Sequence, residues 1–208
     1  MSPQRSNRAA LVEGTLRCLR RLPLDRVTSR VIAEESGANP ASIAYHFGSK
    51  EELVTEAIVT GLDRWLDEVA AQLGDVAGLE PGERLRRAGR AVLAGRRARR
   101  TLVDNFLVAV TRARHDDRVR ATLGGGFRRT RPTLARLLGL GDDRTGQDAA
   151  ALVLAMFQGL LIQEAVDRRL AVTGARMDAA QARLRTALPG AKRRPAPRPA
   201  RHRDQATG

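Results

Sequence analysis

Residues 28–53, which read TSRVIAEESGANPASIAYHFGSKEEL, constrain the fold of this chain more than any other stretch. Their capping and turn residues predict two short helices and the start of a third. Thr28 is a good N-cap for the first helix, and Gly37 ends it because glycine accepts the left-handed backbone of a C-terminal cap. Asn39 and Pro40 then begin a second helix, since Asn caps well and Pro fits the first helical position.

The second helix is short and has one face that must be buried. Ile43 and Phe47 are four residues apart, so they share a face, which we expect to pack against the first helix. Gly48 closes this helix. Ser49, with Glu52 three residues later, has the spacing of a capping box and predicts the start of the third helix.

The opposite face of the second helix carries the residues of functional interest. At about 100° per residue, Ala41, Ser42, Tyr45 and His46 fall together on that face. None of them is acidic; two are small and near the helix N-terminus, and two carry amphipathic rings. This pattern favours a helix whose N-terminal end approaches base edges in a major groove while its rings meet phosphates.

The stretch resembles the DNA-binding domain of the TetR family of transcriptional regulators, which typically reads T-x-x-x-I-A-x-x-A-G-V-S-x-x-x-L-Y-x-H-F-x-S-K-E-x-L. The matching residues are Thr28, Ile32, Ala33, Gly37, His46, Phe47, Ser49, Lys50, Glu51 and Leu53. The departures are Ser36, Ala38, Asn39, Ile43 and Ala44. Ala44 stands where an aromatic residue is common, so the operator sequence does not follow from the resemblance.

The resemblance, together with the exposed positions, implies a role for each side chain of this stretch. Tyr45, His46 and Lys50 are expected to hold the DNA backbone, with Thr28 and Ser29 helping at a helix N-terminus that favours an anion. Arg30, Pro40, Ala41 and Ser42 are expected to face the groove. Arg30 is the side chain here that can bind guanine O6 and N7 together, although a phosphate contact or a salt bridge is its alternative. Asn39, as the cap beside them, completes the predicted DNA-binding set.

Helical periodicity predicts an all-α fold, in which a three-helix helix-turn-helix domain joins a helical body for ligand binding and dimerisation. A first helix is expected over residues 4–21 and a long one over 50–73. Further helices are expected over 83–94, 97–114, from Asp116 or Asp117 onwards, 147–172 and 175–188. Gly124–Gly126 should kink or break the helix that begins at Asp116 or Asp117, and Pro132 should bend it again.

The chain therefore divides into three predicted parts. Residues 1–52 form the DNA-binding domain, residues 53–188 the ligand-binding and dimerisation domain, and residues 189–208 a disordered basic tail rich in Pro and Arg. The helix around Gly159 resembles the one that many TetR-family members use, with the final helix, to form a homodimer through a four-helix bundle. The tail is expected to be inert, with a minor-groove arm as the alternative.

The net charge of +14 favours attraction to a polyanion such as DNA. Lysine occurs only at positions 50 and 192, so a genome that writes Arg for Lys is an equal explanation of the arginine bias. Arg5 and Arg8 could reach a phosphate or be solvated, and the arginines between Arg84 and Arg100 predict a solvated helix face or a second nucleic-acid surface.

Other chemistry is not indicated. Cys18 is alone and is expected to be a packed small residue rather than a redox sensor. The three histidines lack nearby ligands at metal spacing, and no catalytic or nucleotide-binding motif occurs, so we expect no metal, no cofactor and no enzyme activity. The N-terminus lacks a signal-peptide core, and the apolar run 149–157 is too short to span a membrane, which predicts a cytoplasmic protein.

A small-molecule effector is expected to enter the body. The few aromatic residues and a polar neighbour predict the ligand contacts, which are Trp65, Phe106, Phe157 and Gln158. Leu, Val, Ala and Met should dominate the pocket and favour an apolar ligand, with Gln158, Gln163 or His115 orienting it. Packing or surface roles are the alternative for each.

Three functions from different classes fit the sequence. The first is a dimeric transcriptional regulator, expected to be a repressor, which binds an inverted-repeat operator in double-stranded DNA and releases it when a ligand binds. The second is a small-molecule-binding or catalytic helical protein with a vestigial helix-turn-helix. The third is a nonspecific DNA-coating protein, which a salt titration with operator-like and random DNA would separate from the first.

Overall fold

The computed structural model describes the backbone of residues 3–187 and, within that range, every side chain except those of residues 3–6 and 185. The predicted tail at 189–208, Leu188 and the side chain of Arg5 lie outside the described residues. Within the described part the chain is all-α, as predicted. Its α-helices are α1 (Pro3–Arg21), α2 (Ser29–Ser36), α3 (Ala41–Phe47), α4 (Lys50–Leu73), α5 (Pro81–Gly95), α6 (Arg100–Arg112), α7 (Asp117–Leu138), α8 (Arg144–Val166) and α9 (Ala175–Ala187).

The chain divides into two compact units, residues 1–172 and residues 173–208. The first unit holds α1 to α8 with single turns of 3₁₀ helix at Leu24–Arg26 and Arg168–Leu170, and the second holds α9. The predicted functional boundary at residues 52/53 lies inside α4 and stays a prediction. Within the first unit we call α1–α3 the head and α4–α8 the body.

The head forms where local sequence signals agree. The Thr28 hydroxyl accepts a hydrogen bond from the Val31 backbone N–H at 3.2 Å, which caps α2. Gly37 ends α2 with φ of 67°, a left-handed conformation that glycine adopts without a steric cost. Ile32 of α2 is fully buried, and Ile43 and Phe47 of α3 join it in one apolar core with α1. The predicted buried face of α3 is confirmed.

Helix α4 is the first helix of the body and joins it to the head, and it has the predicted bounds. The Ser49 hydroxyl accepts a hydrogen bond from the Glu52 N–H at 3.1 Å, as in a capping box. The Glu52 carboxylate does not complete the box in its usual way; it accepts from the Ser49 hydroxyl and from Arg118 of α7 at 2.8 Å. At about 1.5 Å per residue, α4 extends about 36 Å. Its buried residues pass from the core of the head to that of the body.

The prediction that Gly124–Gly126 breaks a helix is wrong. Helix α7 is one helix that contains both the glycine triplet and Pro132. Gly126 lies against α4, where an added Cβ would stand 2.9 Å from Cγ1 of Val59. Each glycine inside a helix costs about 1 kcal/mol relative to alanine. The close packing of α7 on α4, which buries Val119 and Leu123, offsets this cost and keeps α7 continuous.

Helix α8 ends earlier than predicted, at Val166 rather than near Val172. Asp167 takes an extended conformation there, and its side chain accepts a hydrogen bond from the Arg169 N–H at 2.8 Å, which starts the 3₁₀ turn. The helix is nevertheless 23 residues long and, by length and composition alone, could span a membrane, which the shorter apolar run 149–157 did not indicate. Few of its residues are buried in this chain.

Candidate DNA-binding surface and ligand cavity

The start of α3 is set by Asn39 and Pro40. The Asn39 side-chain oxygen accepts a hydrogen bond from the Ala41 N–H at 2.9 Å, and Pro40 already has helical backbone angles. Asn39, Pro40 and Ala41 are all exposed. The end of α3 that would approach a base edge is therefore preformed and open.

The outward face of α3 differs in part from the helical-wheel prediction. Tyr45 is 72% exposed, and Ala41 is also exposed. Ser42 and His46 are only half-exposed, because Asn7 of α1 donates to the Ser42 hydroxyl at 3.4 Å and the His46 ring packs between its neighbours' rings. Ala44, which the wheel did not place on this face, is exposed. The face is thus centred on Ala41, Ala44 and Tyr45.

The other predicted DNA contacts lie at the starts of α2 and α4. Thr28 is exposed and Ser29 half-exposed beside the free N–H groups of α2. The Arg30 side chain is 88% exposed, and its Nε donates to the Glu34 carboxylate at 2.9 Å. Lys50 is half-exposed, and its Nζ lies 3.5 Å from a carboxylate oxygen of Glu51. Both cations therefore have an acidic neighbour that a DNA contact would have to displace.

Three arginines of α1, which are Arg8, Arg17 and Arg21, are paired with carboxylates of α2 and α4. Arg8 donates to Glu56 of α4 at 2.6 Å and lies over the Phe47 ring at 4.7 Å. Arg17 and Arg21 both donate to Glu35 of α2, and these hydrogen bonds, with Arg17 as the larger cause, lower the pKa of the Glu35 carboxyl. In the free protein Arg8 thus links α1 to α4, and the choice between a phosphate contact and solvation stays a prediction.

Cys18 lies in the apolar core that also contains Ile32, Ile43 and Phe47. It is fully buried, and burial raises the pKa of its thiol. A thiol with a raised pKa is a poor nucleophile. The expectation of a packed residue agrees with this position.

The body contains a partly open apolar cavity of about 150 Å³ between α4, α5, α6, α7 and α8. Its lining includes the four predicted ligand contacts, which come from three different helices: Trp65, Phe106, Phe157 and Gln158. Most other lining residues are Leu, Val and Ala, as the sequence predicted. We call this space the apolar cavity.

Two of the predicted orienting residues are not in the apolar cavity. Gln163 is exposed on α8, and His115 lines a separate open cleft near Lys50 and Glu51. The sequence analysis missed Asp63, the charged residue among those that line the cavity. The sequence feature that could have identified Asp63 is its position next to the apolar stripe of α4. The Asp63 carboxylate lies 3.6 Å from Arg129 and 3.5 Å from the Thr130 hydroxyl.

A family model described as bacterial regulatory proteins, tetR family, matches residues 11–57, which cover most of α1, all of α2 and α3, and the start of α4. The head therefore resembles the N-terminal domain of that family. No curated protein sequence matches the chain.

Solved structures of the same fold cover nearly all of the chain. A TetR transcriptional regulator from Rhodococcus sp. RHA1 superimposes with a TM-score of 0.64 at 16% identity, covering 89% of this chain and 95% of its own. A predicted transcriptional regulator from Streptomyces coelicolor A3(2) gives a TM-score of 0.59 at 24% identity, with 88% of this chain and 99% of its own covered. A predicted transcriptional regulator from Saccharomonospora viridis, solved in complex with choline, gives 0.55 at 23% identity, with 86% and 93% covered. At these identities the similarity shows that the body, too, has a TetR-like fold.

Proposed function

We propose that this protein is a homodimeric, sequence-specific repressor that binds an inverted-repeat operator and leaves it when a small ligand occupies the apolar cavity. The observation that carries the proposal is the TetR-family head itself, with an open and preformed α3. Such a helix presents Ala41, Ala44 and Tyr45 without an acidic residue that would repel DNA. The net charge of +14 adds a sequence-independent attraction to phosphates.

The predicted contacts divide by chemistry. Tyr45, His46 and Lys50 hold the DNA backbone, and Thr28 and Ser29 offer it a helix N-terminus. Arg30 reads a guanine after leaving Glu34. The remaining predicted contacts are at the start of α3, where small side chains let the helix sit deep in the groove: Asn39, Pro40, Ala41 and Ser42.

The exposed face of α8 supports a homodimer. Leu152 is 74% exposed, Ile162 42% and Val166 80%, and they lie with Ala155 and Gly159 at alternating spacings of three and four residues. This spacing forms a single apolar stripe like the seam of a helix pair. The opposite side of α8 is buried in the body at Ala150 and Phe157, so one outward face is left for a partner. A second copy, paired through α8 and α9, is the partner that a two-headed regulator requires.

Two heads are also what sequence recognition demands. One short helix-turn-helix reads only a few base pairs, and a two-fold axis doubles the number read. Heads about 34–36 Å apart would meet successive major grooves on one side of B-DNA, so the operator is expected to be an inverted repeat.

The helices that line the apolar cavity also carry the head, which supports ligand control. Helix α4 contributes Trp65 to the cavity and begins with Lys50 beside α3. Helix α6 contributes Phe106, and the neighbouring Asn105 bonds to α1. A ligand that binds better to the wrongly spaced heads would release DNA, and a tenfold loss of affinity needs about 1.4 kcal/mol of that preference. The choline complex of the S. viridis protein supports this use of the fold for a small molecule.

The proposal is tested with the full-length protein by selecting bound sequences from random duplex DNA. We expect a selected inverted repeat, a large ratio of operator to random affinity that persists as salt rises, and a dimer in sedimentation at micromolar concentration. A selection without a preferred sequence would favour the nonspecific coating protein. Absence of DNA binding, with a folded monomer, would favour the vestigial head.

A further inference from the structure

A second cavity, of about 190 Å³, lies between the α5–α6 connection and the end of α8. Its lining is dominated by charged residues, which are Arg96, Arg97, Arg100, Arg168, Asp104 and Glu164. We call this space the arginine cleft. Positive charges outnumber negative charges in it by two.

The two acidic residues neutralise only part of the positive charge of the arginines. Nε of Arg96 donates to the Glu164 carboxylate at 2.7 Å, and both side chains are about four-fifths buried, so this pair is satisfied internally. Nε of Arg100 lies 3.9 Å from Asp104, at the outer limit of an ion pair. Within the part of the chain that the structure describes, the guanidinium groups of Arg97 and Arg168 donate no hydrogen bond and form no ion pair, although the backbone carbonyls of both residues accept hydrogen bonds. The excess charge of the cleft is therefore carried by these two guanidinium groups.

The backbone adds to this charge. Helix α6 begins at Arg100, inside the cleft, and no side chain caps its first N–H groups. The N-terminus of a helix carries a partial positive charge that attracts anions. The start of α6 thus reinforces the arginines instead of opposing them.

The arginine cleft adjoins the apolar cavity. Val103 of α6 and Leu161 of α8 line both spaces. No basic residue lines the apolar cavity, so charge and apolar surface are segregated on the two sides of this pair. A single molecule that spans Val103 and Leu161 would meet apolar surface at one end and guanidinium groups at the other.

We propose that the effector is an amphiphilic anion, whose hydrophobic part fills the apolar cavity and whose carboxylate or phosphate lies in the arginine cleft. The planar fork of arginine matches both head groups through paired hydrogen bonds. This inference rests on the proposed function, in which the apolar cavity is the effector site, and it adds the charge and shape of the ligand.

A hydrophobic cation is the competing ligand class, because Asp63 also lines the apolar cavity. The Asp63 carboxylate already lies within reach of Arg129 and Thr130, at 3.6 and 3.5 Å. Its charge is thus compensated, whereas those of Arg97 and Arg168 are not. The charge balance of the two spaces favours the anion.

Trp65 makes the test direct, because it is the only tryptophan and lines the apolar cavity. Its fluorescence is followed while decanoate, decyl phosphate, decanol or decylamine is added below the micelle concentration. We expect the better of the two anions to bind about tenfold more tightly than decanol and decylamine to bind weakest. The two anions together distinguish a carboxylate from a phosphate head. Acetate and inorganic phosphate, which lack a tail, should leave the fluorescence unchanged.

Variants locate the head group. The double variant Arg97→Gln, Arg168→Gln should weaken the preferred anion about tenfold and leave decanol affinity unchanged. Arg136→Gln removes an exposed arginine of α7 that lines neither space, and it should behave as wild type.

The outcomes separate this inference from the proposed function. Equal affinity for decanol and the anions overturns the head-group assignment, but release of operator DNA by decanol would still support ligand control. Tighter binding of decylamine overturns it in favour of Asp63. If no probe changes the Trp65 fluorescence, the amphiphile proposal fails, and operator binding without ligand still tests the DNA-binding function by itself.

Discussion

Asn105 of α6 donates a hydrogen bond from its side-chain amide to the backbone carbonyl of Leu19 in α1, at 3.1 Å. The same amide nitrogen donates to the carbonyl of Leu22, also at 3.1 Å. Asn105 is 2% exposed, and its bond to Leu19 is buried while its bond to Leu22 is partly buried. Both carbonyl groups lie at the C-terminal end of α1 or directly after it, where a helix leaves carbonyls unpaired. They join a helix of the cavity wall to the head.

Replacing Asn105 should therefore destabilise the chain. In Asn105→Ala one buried and one partly buried carbonyl lose their partner, and we expect the free energy of unfolding to fall by about 2–3 kcal/mol. Urea denaturation followed by circular dichroism, at equal protein concentrations, measures the change. Val108→Ala, at a 51% exposed position of the same helix, should change it by less than about 0.5 kcal/mol. Equal stability of the two variants would contradict the role of these bonds.

The sequence predicted the head well because its signals are local. Thr28, Gly37, Asn39 and Ser49 act on backbone groups within a few residues, so their effects can be read without the rest of the fold. The body was harder because long-range contacts decide it. The continuity of α7 depends on packing of Gly126 against Val59, which no local rule contains.

The candidate sites divide in the same way. The four predicted contacts of the apolar cavity were accessible from composition, since large apolar side chains in a helical body tend to share its interior. The arginine cleft could not be predicted from composition, because Arg96 and Glu164 are 68 residues apart and meet only when α5 and α8 come together. A run of arginines in the sequence does not reveal which of them keep a carboxylate partner.

Base reading is expected to depend on Arg30. Arg30→Ala should cost about 1–3 kcal/mol of operator affinity and relax the preference at one base pair in each half-site. Sequence selection with the variant measures it. Glu34→Ala removes the carboxylate that holds Arg30 in the free protein, and it should keep the wild-type preference with equal or higher affinity. An unchanged preference in Arg30→Ala would show that this side chain reads no base.

Backbone anchoring should have a different signature. Lys50→Ala and His46→Ala should weaken operator and random DNA to the same extent, because phosphates carry no sequence information. For Lys50→Ala the slope of log affinity against log salt should also decrease by about 2, because the homodimer loses one phosphate contact in each of its two heads. Arg136→Ala, in the body, provides the control with the same loss of charge and should keep the slope. A loss confined to one base position would contradict the assignment.

An ion pair between α1 and α4 predicts a pH dependence. Arg64 donates to Glu13 at 2.9 Å, and this hydrogen bond lowers the pKa of the Glu13 carboxyl below its ordinary value of 4.5, against an opposing effect of burial. A carboxyl with a lowered pKa stabilises the folded chain above its unfolded pKa. That contribution is lost as the pH falls through the lower, folded value.

Removing this carboxylate should therefore flatten the acid side of the stability profile. In Glu13→Gln the free energy of unfolding should fall less than in wild type between about pH 6 and pH 3. Urea titrations at several pH values measure this. The effect should be small, since both side chains are more than 40% exposed. Parallel profiles for the two proteins would show that Glu13 does not contribute.

A substitution at Gly159 tests the proposed homodimer. In the single chain an added Cβ at Gly159 would meet no atom within 4 Å, so a side chain can start there without a clash with the body. Since Gly159 lies in the middle of the apolar stripe of α8, Gly159→Arg should place a charge in the dimer interface. We expect monomers in sedimentation, unchanged helical content in circular dichroism, and loss of operator binding with nonspecific binding retained. Ala94→Arg adds the same charge at an exposed position of α5 and should remain dimeric. A wild-type protein that is monomeric at micromolar concentration, with or without DNA, would rule out this assembly and favour the vestigial head.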